Sequence, residues 1–276
     1  MAATPGNSTA DAGDSPRRDR TRHGFALFAD LCYILAWRDI RVRYKQSVMG
    51  MLWTMLVPTL IVGAGVLVRA AMPGGQGVIA ADVASLAVKA LPWAFLVSGL
   101  RFAMLSLTHN ANLLAKVNIP RIVFPISAVL SSFVDLLAAL VPLAVILALC
   151  GVTLNIALVW VPFLLGLLVL FVTGLGVLFA VGNLFLRDVK YLVEVVLTFA
   201  ILFTPVLYDV QMLGSLGTWV LLNPVAPLLE GLSAAVVHGE SPRLGWIAYS
   251  AAVSLGVFAL GWAVFARLEG YFADYL

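Results

Sequence analysis

The segment Arg38–Lys45, RDIRVRYK, places four cations in eight residues and runs on into an apolar stretch that begins near Met51. Cations at that density attract anionic lipid headgroups, each by about 1 kcal/mol near a charged membrane surface. At helical spacing Tyr33, Trp37, Ile40 and Tyr44 form one stripe, and Leu27, Leu31, Ile34, Leu35 and Val42 form a neighbouring apolar arc that Arg38 interrupts. A basic helix with a ring stripe directly before an apolar run suits the headgroup plane. Orienting the chain, anchoring it passively and contacting a substrate are three uses of such a pattern.

Two further charges, Arg101 and Asp135, fall inside apolar runs, where an ion is costly unless paired or wetted. They lie on consecutive antiparallel segments, so a mutual salt bridge is one expectation and a role in lining or gating a path is the other. Catalytic chemistry finds no support. His23, His109 and His238 are scattered, no histidine and carboxylate cluster forms, and G-x-x-x-x-G-K-[ST] is absent. Active transport would therefore draw its energy from a partner or an ion gradient. Cys32 and Cys150 are expected on opposite sides of a membrane, which implies neither a disulfide nor a thiolate metal site.

The elements that must position these groups follow from composition. Apolar residues make up 62% of the 276 and charged residues 11%, against about 45–50% and 25% in a soluble domain; mean hydropathy is +1.02. A span needs about 20 apolar residues, and six runs qualify, near Met51–Ala71, Ala90–Thr108, Ile122–Cys150, Ala157–Leu186, Tyr191–Leu207 and Leu244–Ala266. Of 17 Lys and Arg residues, thirteen fall before the first run, in alternate loops or near the C-terminus, while Arg69, Lys89 and Arg243 fall on the other side. The positive-inside rule then puts both termini in the cytoplasm. The first 24 residues contain no apolar core of a cleavable signal, and Met1–Arg22 reads as disordered.

The sequence thus predicts an all-α integral membrane protein: a disordered cytoplasmic tail over 1–24, an amphipathic interface helix over 25–47, and a six-span domain over 48–276. Between Tyr208 and Arg243 the chain is too short to cross and return, so a re-entrant helical pair is expected between spans five and six, covered by protein or a watery cavity. GLGVLFAVGNLF, Gly174–Phe185, has the small-residue spacing of a helix contact. THNANLLAKVNIPR, Thr108–Arg121, suggests a short cytoplasmic helix with Leu113 and Leu114 as an apolar knob, or leucines folded back onto the membrane. In LRDVKYLVE, Lys190 and Glu194 sit at i, i+4 and could stabilise a helix start.

Taken together, WRDIRVRYKQSVMGMLWTMLVPTL, NANLLAKVNIPRIVFPIS, LRDVKYLVEVVLTFAILFTPVLY and NPVAPLLEGLSAAVVHG resemble, in order, motifs of the ABC-2 type permeases that export polysaccharides and teichoic acids. The likeness runs from about Phe25 to the C-terminus. It implies a homodimeric pore in a bacterial plasma membrane and a separate cytoplasmic pair of ABC ATPase subunits. ATP and Mg would be bound by that partner, with no cofactor or metal on this chain and no nucleic acid among its partners. The implied cargo is a polyprenyl-pyrophosphate-linked glycan moved outward among membrane lipid. A drug or small-lipid exporter and a membrane-bound polyprenyl-phosphate transferase are the alternatives. Residue by residue, the resemblance implies a substrate gate at Tyr33, Trp37, Arg38, Arg41, Arg43, Tyr44 and Lys45. It implies ATPase coupling at Asn112, Leu113, Leu114 and Lys116, and an outer re-entrant segment with Tyr208, Trp219, Asn223, Pro224 and Glu230.

Overall fold

The computed structural model describes residues 15–45, 52–71, 79–114, 116 and 119–274, and every regular element among them is helical. In chain order these are α1 (Ser15–Tyr44), α2 (Leu52–Ala71), α3 (Ala80–His109), α4 (Ala111–Leu114), α5 (Val123–Leu149), α6 (Trp160–Phe185), α7 (Val189–Ala200), α8 (Gly217–Val220), α9 (Ala226–Ser233) and α10 (Leu244–Leu268). Short 3₁₀ turns cover Ile156–Val159, Val210–Leu216 and Glu269–Asp274, and a π-turn covers Ala234–His238. Four of the helical stretches are long and apolar enough to cross a membrane: Ala80–His109, Val123–Leu149, Ile156–Phe185 and Leu244–Phe272.

The third helix is the hub. It packs against α2, α5, α6 and α9, and a near-continuous run from Ala84 to Leu107 contributes most of its buried residues. At 30 residues it is about 45 Å long, more than the roughly 30 Å of a hydrocarbon core. It starts ten residues before the apolar run near Ala90. Lys89, assigned by sequence to an outer loop, therefore lies within a helix and is 1% exposed.

Small residues set the contact between α6 and α10. A Cβ on Gly174 would stand 2.5 Å from the Phe258 backbone, and one on Gly261 would stand 2.5 Å from the Gly174 carbonyl oxygen. Such close backbone approach is the gain that small residues bring to helix pairs in lipid, and it bears out the packing role expected for Gly174–Phe185.

Two of the expected elements come out differently. Of the tail, residues 1–14 lie outside the described residues, as does the joint at 46–51; Ser15–Gly24 belong to α1, which starts ten residues earlier than Phe25. The fifth apolar run is not one helix: α7 ends at Ala200, about 18 Å long, and turns follow to Tyr208. Pro205 has no N–H to continue the ladder, and Thr204 Oγ1 donates to the Ala200 carbonyl at 2.8 Å. Asn223 Nδ2 donates to Thr204 Oγ1 at 2.9 Å, which ties the chain ahead of α9 to this turn. Lys190 and Glu194 both lie on α7, but the glutamate turns to Arg101 instead.

Both ends of the bundle are internally consistent. Cys32 and Leu35 of α1 share an apolar cluster with Leu107, Leu114, Ile122, Phe124, Leu184 and Phe265, and Arg121 Nη1 donates to the Glu269 carbonyl at 2.8 Å. These are the ends expected in the cytoplasm. At the opposite end, Lys89 bonds Asp209 and Glu230, and the turn at Ile156–Val159 touches the one at Ala234–His238.

Candidate cytoplasmic gate and outer charge cluster

The first helix packs along α5. Its residues Cys32 and Leu35 pack at the foot of α5, and Arg43 reaches Asp135 about three turns further along α5, so α1 climbs beside α5, roughly parallel to it. Arg43 Nη1 is ion-paired with Asp135 Oδ2, and its Nη2 donates to Ser131 Oγ at 3.0 Å. Tyr44 Oη donates to the other carboxylate oxygen at 2.7 Å. The Arg43 guanidinium also stands 3.9 Å from the Phe102 ring centroid, close enough for a cation–π contribution.

This cluster corrects the expected partnership of the intramembrane charges. Arg101 pairs with Glu194 of α7, its Nε donating at 2.8 Å, and not with Asp135. The geometry explains why: Asp135 is taken by α1, an element that a two-helix argument leaves out, while Arg101 is taken by Glu194 on α7. Both guanidinium residues, with Asp135, Pro58, Ser98 and Trp93, border a cavity of about 370 Å³ among α1, α2, α3 and α5. Its wall is mostly apolar, with ions at one edge.

The cations of RDIRVRYK thereby divide into two sets. Arg38 is engaged inside, bonding Asp39 and donating to Asn110 Oδ1 at 2.8 Å, and Arg43 is engaged as described. Tyr33, Trp37, Arg41 and Lys45, each four residues apart, are exposed along one face, with the Arg41 guanidinium 5.3 Å from the Trp37 ring centroid. The stripe expected at Tyr33, Trp37, Ile40 and Tyr44 is only half realised, because Ile40 is buried and Tyr44 turns to Asp135. Of the expected apolar arc, Leu35 is buried, whereas Leu27, Ile34 and Val42 are exposed.

The loop between α3 and α5 also differs from the expected knob. Leu114 is buried in the α1 end cluster and Leu113 packs against it, while Asn112 and Lys116 face outward. Joining Leu107, Ile122 and Phe124 takes more apolar surface out of contact with water than an isolated leucine pair could.

At the other end, Lys89 Nζ stands 2.5 Å from Asp209 Oδ1 and 2.6 Å from Glu230 Oε1, and Ser85 Oγ is 2.8 Å from Ser233 Oγ. Lys89 ties both limbs of the outer segment to α3. Sequence reasoning missed it because its partners are 120 and 141 residues away; the signal was a lysine followed by an unbroken apolar run. Of the other expected outer residues, Tyr208 Oη donates to the Leu202 carbonyl at 3.1 Å and Trp219 is 73% exposed. Asn223 Oδ1 accepts from Val225 N at 3.1 Å, and the Pro224 carbonyl accepts from Ser250 Oγ at 2.8 Å. Together these bonds pin the turn ahead of α9.

Comparison with known proteins identifies the family. Residues 30–237 match the family model described as ABC-2 type transporter. Two proteins of Klebsiella pneumoniae, each called O-antigen export system permease protein RfbA, are 26% and 24% identical to the chain, covering 93% of it and 99% of their own length. A Myxococcus xanthus protein of the same name is 25% identical over 90% of the chain and 95% of its own length. With a family match across most of its length and several helices apolar enough to span a bilayer, the chain belongs to the ABC-2 type transporter family and is a multi-pass transporter membrane subunit.

Proposed function

We propose that this chain is the permease subunit of an exporter that moves a lipid-linked polysaccharide from the cytoplasmic to the outer side of a bacterial plasma membrane. The polymer is of the O-antigen, capsule, galactan or teichoic-acid kind. Two copies form the path, each crossing the membrane six times, the fifth time by α7 together with the turned chain that follows it to Tyr208, with both termini in the cytoplasm and a re-entrant outer segment between the fifth and sixth crossings. A separate ABC ATPase pair binds ATP and Mg²⁺ and supplies the work. The observation that carries this reading is the near full-length likeness to three permeases named for O-antigen export.

The geometry suggests how the work is divided. The exposed face of α1 meets the cargo: Arg41 and Lys45 attract a pyrophosphate head, and Tyr33 and Trp37 offer rings to sugar faces. Because Arg43 and Tyr44 connect α1 to Asp135, movement of this helix is transmitted to α5 and to the cavity beside it. Asn112 and Lys116, on the loop next to α1, form the surface offered to the ATPase. Arg38, bonded to Asn110, joins that loop to the gate.

Deleting the gene tests the assignment. Polyprenyl-pyrophosphate-linked glycan should accumulate on the cytoplasmic side and disappear from the cell surface, and the intact gene should restore it. Unchanged surface glycan, with loss of drug or small-lipid efflux instead, would assign the chain to a different cargo.

A further inference from the structure

A second cavity, of about 310 Å³, opens in the outer segment between the turn at Val210–Leu216, α9 and the first turn of α10. Its wall carries Glu230, Glu240, Arg243, Gln211 and Thr218 around the indole of Trp246. Two of these groups are held from behind. Glu230 Oε1 accepts from Lys89 at 2.6 Å, and Lys89, 1% exposed, cannot swing away into solvent. Trp246 meets Tyr249 edge to face at 6.0 Å, and the Tyr249 phenol donates to the Leu222 carbonyl at 2.7 Å. At the mouth, Gly214 has φ +53° and open space where a side chain would begin.

The chemistry of the wall narrows the occupant. Carboxylate acceptors stand beside amide, guanidinium and hydroxyl donors, which suits adjacent hydroxyl groups that donate and accept at once. An indole adds an amphipathic surface for the C–H face of a ring. Three carboxylates, Glu230, Glu240 and Asp209, stand against two cations, Arg243 and Lys89, which disfavours a phosphate or other anion, and an apolar chain would leave the polar wall without partners. The volume lies at the lower end of the about 300–1,000 Å³ of small-molecule sites, which is room for a sugar ring and not for a coiled polymer.

We propose that this cavity is a saccharide subsite on the outer side, receiving single sugar units of the emerging chain. The inference rests on the glycan-export reading above. It separates the two ends of the path by chemistry: the cytoplasmic stripe meets the anionic head, and the outer cavity meets neutral sugar.

The test places the photo-crosslinker p-benzoylphenylalanine at Thr218 in cells carrying the complete transporter, with the same crosslinker at Trp37 as the cytoplasmic reference. Adducts are detected by periodate–hydrazide staining of glycan on the purified chain. Glycan adducts are expected at both positions. Trp246→Ala should reduce the Thr218 adduct about tenfold, equivalent to about 1.4 kcal/mol, and Gln211→Ala, at the exposed rim, should reduce it severalfold. If Trp246→Ala lowers thermal stability, the Gln211→Ala result decides. Adducts at Trp37 with none at Thr218, or a Thr218 adduct undiminished by the deciding variant, would overturn the subsite and leave the exporter reading standing. Adducts at neither position would overturn the exporter reading and the subsite with it.

Discussion

Arg43, at the end of the first helix, is ion-paired with Asp135 in the middle of α5, and this pair fastens an element expected at the membrane surface to one that spans the bundle. Its side chains are 21% and 12% exposed. Removing one partner leaves the other charge largely desolvated, whereas removing both does not. Arg43→Ala and Asp135→Ala should each cost about 2 kcal/mol or more, and the double variant less than their sum, in thermal unfolding of the detergent-solubilised protein. Additive losses would mean that the pair carries no coupling. Arg101→Ala with Glu194→Ala, a pair at the cavity edge whose side chains are 44% and 40% exposed, should show weaker coupling than Arg43 with Asp135.

Lys89 stands between two carboxylates, Asp209 and Glu230, that come from either side of the outer segment. Lys89→Met should destabilise by about 3–5 kcal/mol, since Asp209 and Glu230 would then repel each other with no cation between them. Adding Asp209→Asn and Glu230→Gln to Lys89→Met should recover most of that loss. A triple variant as unstable as the single one would show that lost packing, and not lost charge, sets the cost.

The loop between α3 and α5 separates folding from docking. Leu114→Asp should lower thermal stability, because it forces a charge into the cluster of Leu107, Ile122 and Phe124. Asn112→Arg should leave stability within about 0.5 kcal/mol, as expected of a surface change, and weaken co-purification of the ATPase. Full ATPase recovery with Asn112→Arg would remove this position from the coupling surface.

Sidedness can be read by cysteine labelling in a background where Cys32 and Cys150 are replaced by Ala. A cysteine at Ser215, exposed in the outer segment, should react with an impermeant thiol reagent applied to intact cells, and one at Asn112 should react only after lysis. Labelling of Asn112 from outside would reverse the orientation drawn from the thirteen cytoplasmic cations.

Much of the architecture was legible because helix length and small-residue spacing are local properties. The spans at Val123–Leu149 and Leu244–Leu268 came within a few residues of their apolar runs, and Gly174 meets α10 as its surroundings predict. What depended on distant partners was not legible. Asp135 finds Arg43 across 92 residues and Lys89 finds Glu230 across 141; no pattern along the chain encodes such pairs. The break inside the fifth run is not legible from hydropathy, which cannot sense Pro205 and the Thr204 back-bond ending α7 at Ala200. The gate stripe shifted by a fraction of a turn because Tyr44, amphipathic, was drawn to a carboxylate instead of the headgroups.

The central claim is that cargo enters against the exposed face of α1. Arg38 and Arg43 are committed to internal bonds, which leaves Arg41 as the guanidinium on that face, and Arg41→Lys keeps its charge and its reach while removing the planar fork that binds phosphate bidentately. The measurement is surface glycan in cells expressing Arg41→Lys at wild-type level, with ATPase co-purification as the control. The account predicts a clear fall in export with docking unchanged; export equal to wild type would contradict it and reduce the stripe to an anchor.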